Sequence, residues 1–162
     1  MDRKRFSNQP CPIAQATDIF GDWWIPMILR ETLYGVDTFS EFQERLDISR
    51  NILNQRLKLL VDNGILSKEL YQAPNRFKYV LTQKGRSALS ILAAMAAWAN
   101  QWAFPEGEHP IRLLDAESGE PLVPLVIDQR SGEPMEMKEI KLAPGPGFPN
   151  SKEALRRRFG IE

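Results

Sequence analysis

The 162-residue chain has one cysteine, Cys11, and one histidine, His109. An internal disulfide is therefore excluded, and two soft donors are too few for a structural zinc site within one chain. His109 stands in Glu-His-Pro with no nucleophile or carboxylate partner, and no acid, base and nucleophile set converges elsewhere, so an enzyme is not expected. Nothing implies a cofactor. Long hydrophobic runs are missing too: the strongest, Ile91 to Trp98, is far short of the ~20 residues of a membrane span. No signal peptide opens the chain. The expectation is a soluble cytoplasmic protein with no membrane partner. An excess of one charge is also lacking, since 21 Lys and Arg balance 21 Asp and Glu.

What is present is enough apolar material for a core, 43% hydrophobic residues against 26% charged, and an uneven placement of the charges. Between Arg45 and Arg86 there are nine basic and three acidic residues, whereas the segment from Pro105 onward has eight against eleven. A local basic surface in a neutral protein is the footprint of a polyanion binder.

The apolar spacing organises the chain into a run of helices. Cys11-Pro12 opens a short one, with Ile13, Ala16, Thr17 and Phe20 at helical intervals up to Gly21. Asp22 caps a second, Trp23 to Tyr34, which buries Trp24, Ile28 and Leu29 and stops at Gly35. Thr38 or Ser40 caps a third, with Phe39, Phe42 and Leu46 on one stripe, and Asp47-Ile48 turns tightly into the next. That helix begins at Ser49, points Leu53, Leu57 and Leu60 inward and ends at Gly64, in a left-handed conformation. Ile65 to Tyr71 and Phe77 to Thr82 read as a hairpin with a polar tip. Thr82 then caps a long helix to about Trp102, whose Leu89, Leu92, Met95, Ala96, Ala99 and Trp102 form a wide apolar stripe in need of a partner.

Residues 105–162 form a proline- and glycine-rich extension. Asp115-Ala-Glu-Ser118-Gly119-Glu120-Pro121 returns thirteen residues later as Asp128-Gln-Arg-Ser131-Gly132-Glu133-Pro134. Each Ser-Gly-Glu-Pro is a turn signal. Short strands at Leu122 to Ile127 and Met135 to Leu142 would make a small β ribbon, and Ser151 to Phe159 reads as a short basic helix.

Helix, helix, tight turn, helix and two-stranded hairpin is the order of a winged helix-turn-helix, an α+β fold that is mainly α. A helix fits the major groove, its polar face reads base edges, and a basic hairpin reaches the neighbouring backbone. On this reading Ser49, Arg50, Asn51, Asn54 and Gln55 face the bases of double-stranded DNA. Arg56 and Lys58 hold phosphates, and Lys68, Arg76 and Lys78 on the wing, Leu66 to Thr82, add salt-dependent affinity. The rival reading is a protein-interaction module that keeps the fold without specific DNA contacts.

Over residues 11 to 104 the chain also resembles the HxlR-type winged-helix transcriptional regulators. Cys11-Pro12-Ile13, Gly21-Asp22-Trp23-Trp24, Ile28-Leu29-Arg30-Glu31, Thr38-Phe39-Ser40-Glu41-Phe42, Ile48-Ser49, Asn54-Gln55-Arg56-Leu57, Asn63-Gly64 and Tyr79-Val80-Leu81-Thr82-Gln83-Lys84-Gly85-Arg86 carry the likeness, in that order. The resemblance implies a bacterial homodimer on a palindromic operator, a repressor more readily than an activator. Its interface would lie on the N-terminal and long C-terminal helices, here Ile13, Leu89, Leu92, Met95, Trp98 and Trp102. Residues 1–104 would then be the DNA-binding and dimerisation domain.

The extension is similar to one that some family members carry, a ribbon with cysteine-based knuckles. The ligand positions are Asp115, Ser118, Asp128 and Ser131 here, so no metal is expected. Cys11 has two readings, a redox switch as in some family branches or a small buried hydrophobe. Trp23, Trp24, Trp98 and Trp102 have two as well: a pocket for a small-molecule effector, or core and interface anchors.

Overall fold

The computed structural model describes residues 6, 8–72, 74–135, 140, 143–149 and 151–160. The basic arm Arg3, Lys4 and Arg5, Ala73 in the hairpin loop and most of the strand expected at Met135 to Leu142 lie outside the described residues. The elements are α1 Pro12–Phe20, α2 Trp24–Leu33, α3 Phe39–Leu46, α4 Arg50–Asp62, β1 Leu66–Gln72, β2 Arg76–Leu81, α5 Gln83–Ser87, α6 Leu89–Trp102 and α7 Lys152–Phe159. Two compact units result, Ile19 to Pro124 and the described residues up to Asp18 together with those from Leu125 onward.

Side-chain caps set the helix boundaries. Asp22 Oδ1 accepts the Trp24 N–H at 3.0 Å and starts α2. Thr38 Oγ1 accepts the Glu41 N–H and donates to Glu41 Oε2, which decides between Thr38 and Ser40 as the cap of α3. Asp47, at φ 47°, closes α3 in the left-handed region, and Ser49 Oγ accepts the Ile52 N–H to start α4. Such caps satisfy amide hydrogens that have no partner inside the helix.

The core of the larger unit lies where α2, α3, α4 and the hairpin meet. Ile25, Ile28, Leu29, Phe42, Leu53, Leu57, Leu60, Ile65 and Leu66 are almost wholly shielded from solvent. Phe42 meets Tyr79 edge to face, with ring centres 6.4 Å apart. Glu31 is buried as well and pairs with Arg30 and, at 3.6 Å, with Arg45.

β1 and β2 are antiparallel, with Leu66 opposite Leu81 and Lys68 opposite Tyr79, and an irregularity between Leu70 and Gln72. The middle of β2 is fastened to the segment before α3. The Tyr79 N–H donates to the Asp37 carbonyl at 2.7 Å, and Thr38 bridges to Lys78 in antiparallel fashion.

Two expectations need correction. The long helix from Thr82 to Trp102 is two helices, because the Ala88 N–H bonds to the Gly85 carbonyl three residues back and tightens the turn. Thr82 and Gly85 hold the short first piece against the strand entry. Thr82 Oγ1 accepts the Gly85 N–H and donates to the Gly64 carbonyl, and a Cβ on Gly85 would fall 2.1 Å from the Ile65 carbonyl oxygen.

The second correction is in the extension, where no strand forms over Leu122 to Ile127. Isolated bridges, Leu114 to Pro121 and Ile127 to Pro134, stand in its place, since prolines at 121, 124 and 134 remove ladder donors. Each repeat is nevertheless a closed turn. Asp115 N–H bonds to Glu120 O and Gly119 N–H to Asp115 O, and Asp128 with Glu133 and Gly132 with Asp128 repeat the pattern.

Candidate nucleic-acid interface

The first two turns of α4 and the hairpin tip enclose an open cleft of about 580 Å³. Arg50, Asn51 and Asn54 line it from the helix, Asn75, Phe77 and Tyr79 from the hairpin, and Phe39 from α3. The Arg50 guanidinium stands 5.8 Å from the centre of the Phe39 ring. An adjoining hollow of about 440 Å³ adds Ser40, Gln43, Tyr71 and Arg76. Asn75, at φ 68°, makes the bend. Ser49 is the cap of α4 and exposed, so its hydroxyl works on the helix start.

The basic residues divide by partner. Lys68 is exposed and lies 4.2 Å from the centre of the Phe77 ring. Lys58 pairs with Asp62 one turn on, at 2.7 Å and well exposed, so water and salt weaken that pair. Lys78 is bound to Asp37 at 2.8 Å, and that hydrogen bond holds its pKa above the ordinary lysine value. Lys78 thus fastens the middle of the hairpin to the segment before α3.

Arg56 departs furthest from the sequence reading. Its Nη2 lies 2.9 Å from Asp22 Oδ2, with only a quarter of the side chain exposed. Its Nη1 donates to Gln55 Oε1 at 3.0 Å, and Gln55 Nε2 reaches Asn51 Oδ1 at 3.5 Å. Arg56 is committed to Asp22 and Gln55, which leaves it poorly placed for the phosphate role expected of it. The sequence concealed this because Asp22 reads as a helix cap and lies far upstream. Buried Glu31 with its arginines was also missed, and nothing in its local sequence signals it.

The residues expected at an interface are unequally exposed. Ile91, Met95, Trp98 and Trp102 lie at helical spacing along α6, and Trp98 and Trp102 keep about two thirds of their surface open, at 65% and 68%. Leu92 instead packs against the core, so the exposed stripe is displaced from the expected one. Leu89 is half-buried, and Ile13 on α1 is exposed. Trp23 is exposed while Trp24 leans on the core. Cys11, immediately before α1, is half-buried.

In the extension, Asp115 Oδ1 accepts the Glu117 and Ser118 N–H groups and the Ser118 hydroxyl. These bonds, the Ser118 backbone first, hold its carboxyl below the usual range. Asp128 is lowered likewise, by the Arg130 side chain and then its backbone. Among the described residues no group of three or more His, Cys, Asp or Glu could hold a metal ion, and no helix is long and apolar enough to cross a membrane.

A three-helix core, a capped reading helix and a fastened hairpin define a winged helix-turn-helix transcription regulator. The family model of HxlR-like helix-turn-helix proteins matches residues 19–107. The chain belongs to this family, whose members regulate transcription and are not enzymes. An uncharacterized HTH-type transcriptional regulator of Mycobacterium bovis is 33% identical over 84% of this chain and 87% of its own length. The crystal structure of PA1607, a candidate transcription factor, superposes with a TM-score of 0.78 at 30% identity, over 86% of this chain and 99% of the other. Quinone-bound YodB of Bacillus subtilis superposes with a TM-score of 0.50 at 31% identity, over 57% of this chain and 99% of the other.

Proposed function

We propose that the chain binds a palindromic operator in double-stranded DNA as a homodimer and represses transcription by occupying it. The supporting observation is the cleft in which Arg50, Asn51 and Asn54 meet Asn75 of the hairpin. The start of a reading helix is the part that enters a major groove, and arginine and asparagine suit base edges there. In this reading Ser49, Arg50, Asn51, Asn54 and Gln55 approach the bases, and Lys58, Lys68 and Arg76 face the phosphates, while Lys78 stays on Asp37. The apolar stripe Ile91, Met95, Trp98 and Trp102, with Leu89 and Ile13, supports self-association. Two reading helices about one DNA turn apart would cover successive major grooves.

The test is a gel shift of the full chain on its own upstream region and on genomic fragments, with random DNA as competitor. Specific retention is expected. Retention of nothing above random DNA would overturn the reading and favour the protein-interaction module.

A second reading concerns control. Cys11 stands half-buried at the start of α1, where a helix N-terminus favours thiolate, and the YodB relative is a quinone-bound protein. An electrophile or oxidant acting at Cys11 would then release the operator. Cys11→Ser should bind DNA as the wild type does and ignore diamide, and a wild type indifferent to diamide would remove the sensor.

A further inference from the structure

Tyr79 keeps only 7% of its surface exposed and lines the cleft between α4 and the hairpin, yet among the described residues nothing bonds to its phenol oxygen. A tyrosine this buried ordinarily finds a partner for that group. Among the described residues, the polar side-chain atom that is both shut off from solvent and unbonded is Arg56 Nε. The Tyr79 oxygen therefore keeps an opening, and since the rest of the residue packs in the core, the cleft provides it. Burial holds the Tyr79 pKa above its ordinary value, so the phenol keeps its proton and can donate it. Arg50 stands at the same cleft, 5.8 Å from the centre of the Phe39 ring and with no carboxylate partner among the described residues. No acidic residue lines the cleft or the adjoining hollow.

We infer that this cleft is also an effector site for a small aromatic carboxylate, bound through Arg50 and the Tyr79 hydroxyl with its ring against Phe39 and Phe77, and that filling it excludes DNA. A planar guanidinium offers a carboxylate two parallel N–H groups, and the phenol adds a third donor. Phe39 and Phe77 supply the apolar surface for a ring, and a volume of about 580 Å³ is that of an ordinary small-molecule site. Charge makes the choice of ligand: a cation would meet Arg50 with no carboxylate to offset the repulsion, and a neutral ring would leave the guanidinium unanswered. Binding stands on the cleft alone. Exclusion rests on the proposed DNA reading, because Arg50, Asn51 and Asn54 line the cleft and are also the residues that approach the bases.

The test uses the full chain with benzoate as the probe, benzamide as its neutral counterpart and acetate as the salt control. Titrated into the wild type and followed by NMR, benzoate should give saturable shifts at the Arg50, Asn54 and Tyr79 resonances, and benzamide and acetate should give none at the same concentrations. Tyr79→Phe removes only the unpartnered oxygen and is expected to weaken benzoate about tenfold. Arg50→Gln changes an exposed side chain, covers the case in which the first variant fails to fold, and should weaken benzoate by about tenfold or more. In fluorescence anisotropy on the DNA site found by gel shift, benzoate should release the DNA in proportion to its occupancy of the cleft, and acetate at equal ionic strength should not.

Benzoate that shifts none of these resonances, that shifts Trp98 and Trp102 instead, or that binds Tyr79→Phe as tightly as the wild type overturns the site and leaves the DNA reading standing. DNA retained while the cleft is saturated overturns the exclusion. A chain that binds no DNA sequence removes the DNA reading and the exclusion with it, and the benzoate titration then decides the site by itself.

Discussion

Asp22 and Arg56, thirty-four residues apart in the sequence, join the start of α2 to the second turn of α4 through a 2.9 Å ion pair. The carboxylate serves both helices, since its other oxygen accepts the Trp24 N–H. The cap and the cross-brace are therefore one side chain.

That double duty predicts non-additive stability. Asp22→Ala is expected to cost about 2 kcal/mol, of which about 1 is the cap. Arg56→Ala, which strands a mostly buried carboxylate, is expected to cost about 1–3 kcal/mol, below the usual loss at a fully buried pair because Arg56 is partly in water. The double variant should fall short of the sum by about 1 kcal/mol. Urea denaturation of the four proteins measures this, and strict additivity would show the pair to be idle.

Gly85→Ala should destabilise by about 2–3 kcal/mol through overpacking. The added Cβ meets the Ile65 carbonyl oxygen at 2.1 Å, and backbone cannot swing aside as a side chain can. Thermal melts check it. A melting temperature equal to that of the wild type would show that α5 does not press on the strand as described.

Reading and anchoring residues should separate by the kind of affinity they control. Asn54→Ala is expected to lose about 1–3 kcal/mol on the preferred site and little on random DNA. Arg76→Ala should weaken all sequences alike and reduce the salt slope by about one. Titrations by fluorescence anisotropy at several salt concentrations distinguish the two. Equal losses on both kinds of DNA for both variants would undo the assignment.

Trp98→Glu, with 65% of the residue exposed, should leave the fold intact and convert a dimer into monomers, because a charge in an apolar interface lacks a partner. Sedimentation velocity reads the outcome. A wild type that sediments as a monomer at micromolar concentration would refute self-association through α6.

The turn at Asp115 should respond to acid. Its carboxyl is held below the ordinary value of 3.8 by Ser118 and Glu117, so its stabilising effect is complete above that value and is lost as pH falls through the lower folded one. The Ser118 amide proton should titrate with that lower midpoint, and Ser118→Ala should return the midpoint toward 3.8. An unchanged midpoint in the variant would show that the Ser118 hydroxyl adds nothing to the hold of its backbone N–H on the carboxylate.

Local rules made most of the larger unit legible. Leu53, Leu57 and Leu60 face inward because a four- and three-residue spacing permits nothing else on a helix, and Thr38, Ser49 and Thr82 cap where hydroxyls precede apolar runs. Gly64 is left-handed, at φ 66°, as its place after the helix suggests. What escaped was set by partners distant in sequence. Arg56 finds Asp22 and Lys78 finds Asp37 only after folding. Thr82 to Trp102 reads as a single helix because the interruption at Ala88 follows from packing around Gly85, with no proline to announce it. At α4 itself the residue types were visible, while the pairing of Arg56 was not, because Asp22 lies far upstream in the sequence.

The fastening of the hairpin at Tyr79 and Thr38 bears on how such a protein diversifies. Among the described residues, backbone bonding to Asp37, the Lys78 and Asp37 pair and the Phe42 and Tyr79 contact hold the hairpin to the body. The bend at Asn75 and the residues around it stand outside that arrangement. Substitutions at the bend can therefore accumulate without disturbing the core or the fastening of the hairpin, which makes the hairpin tip an inexpensive place for descendants to diverge.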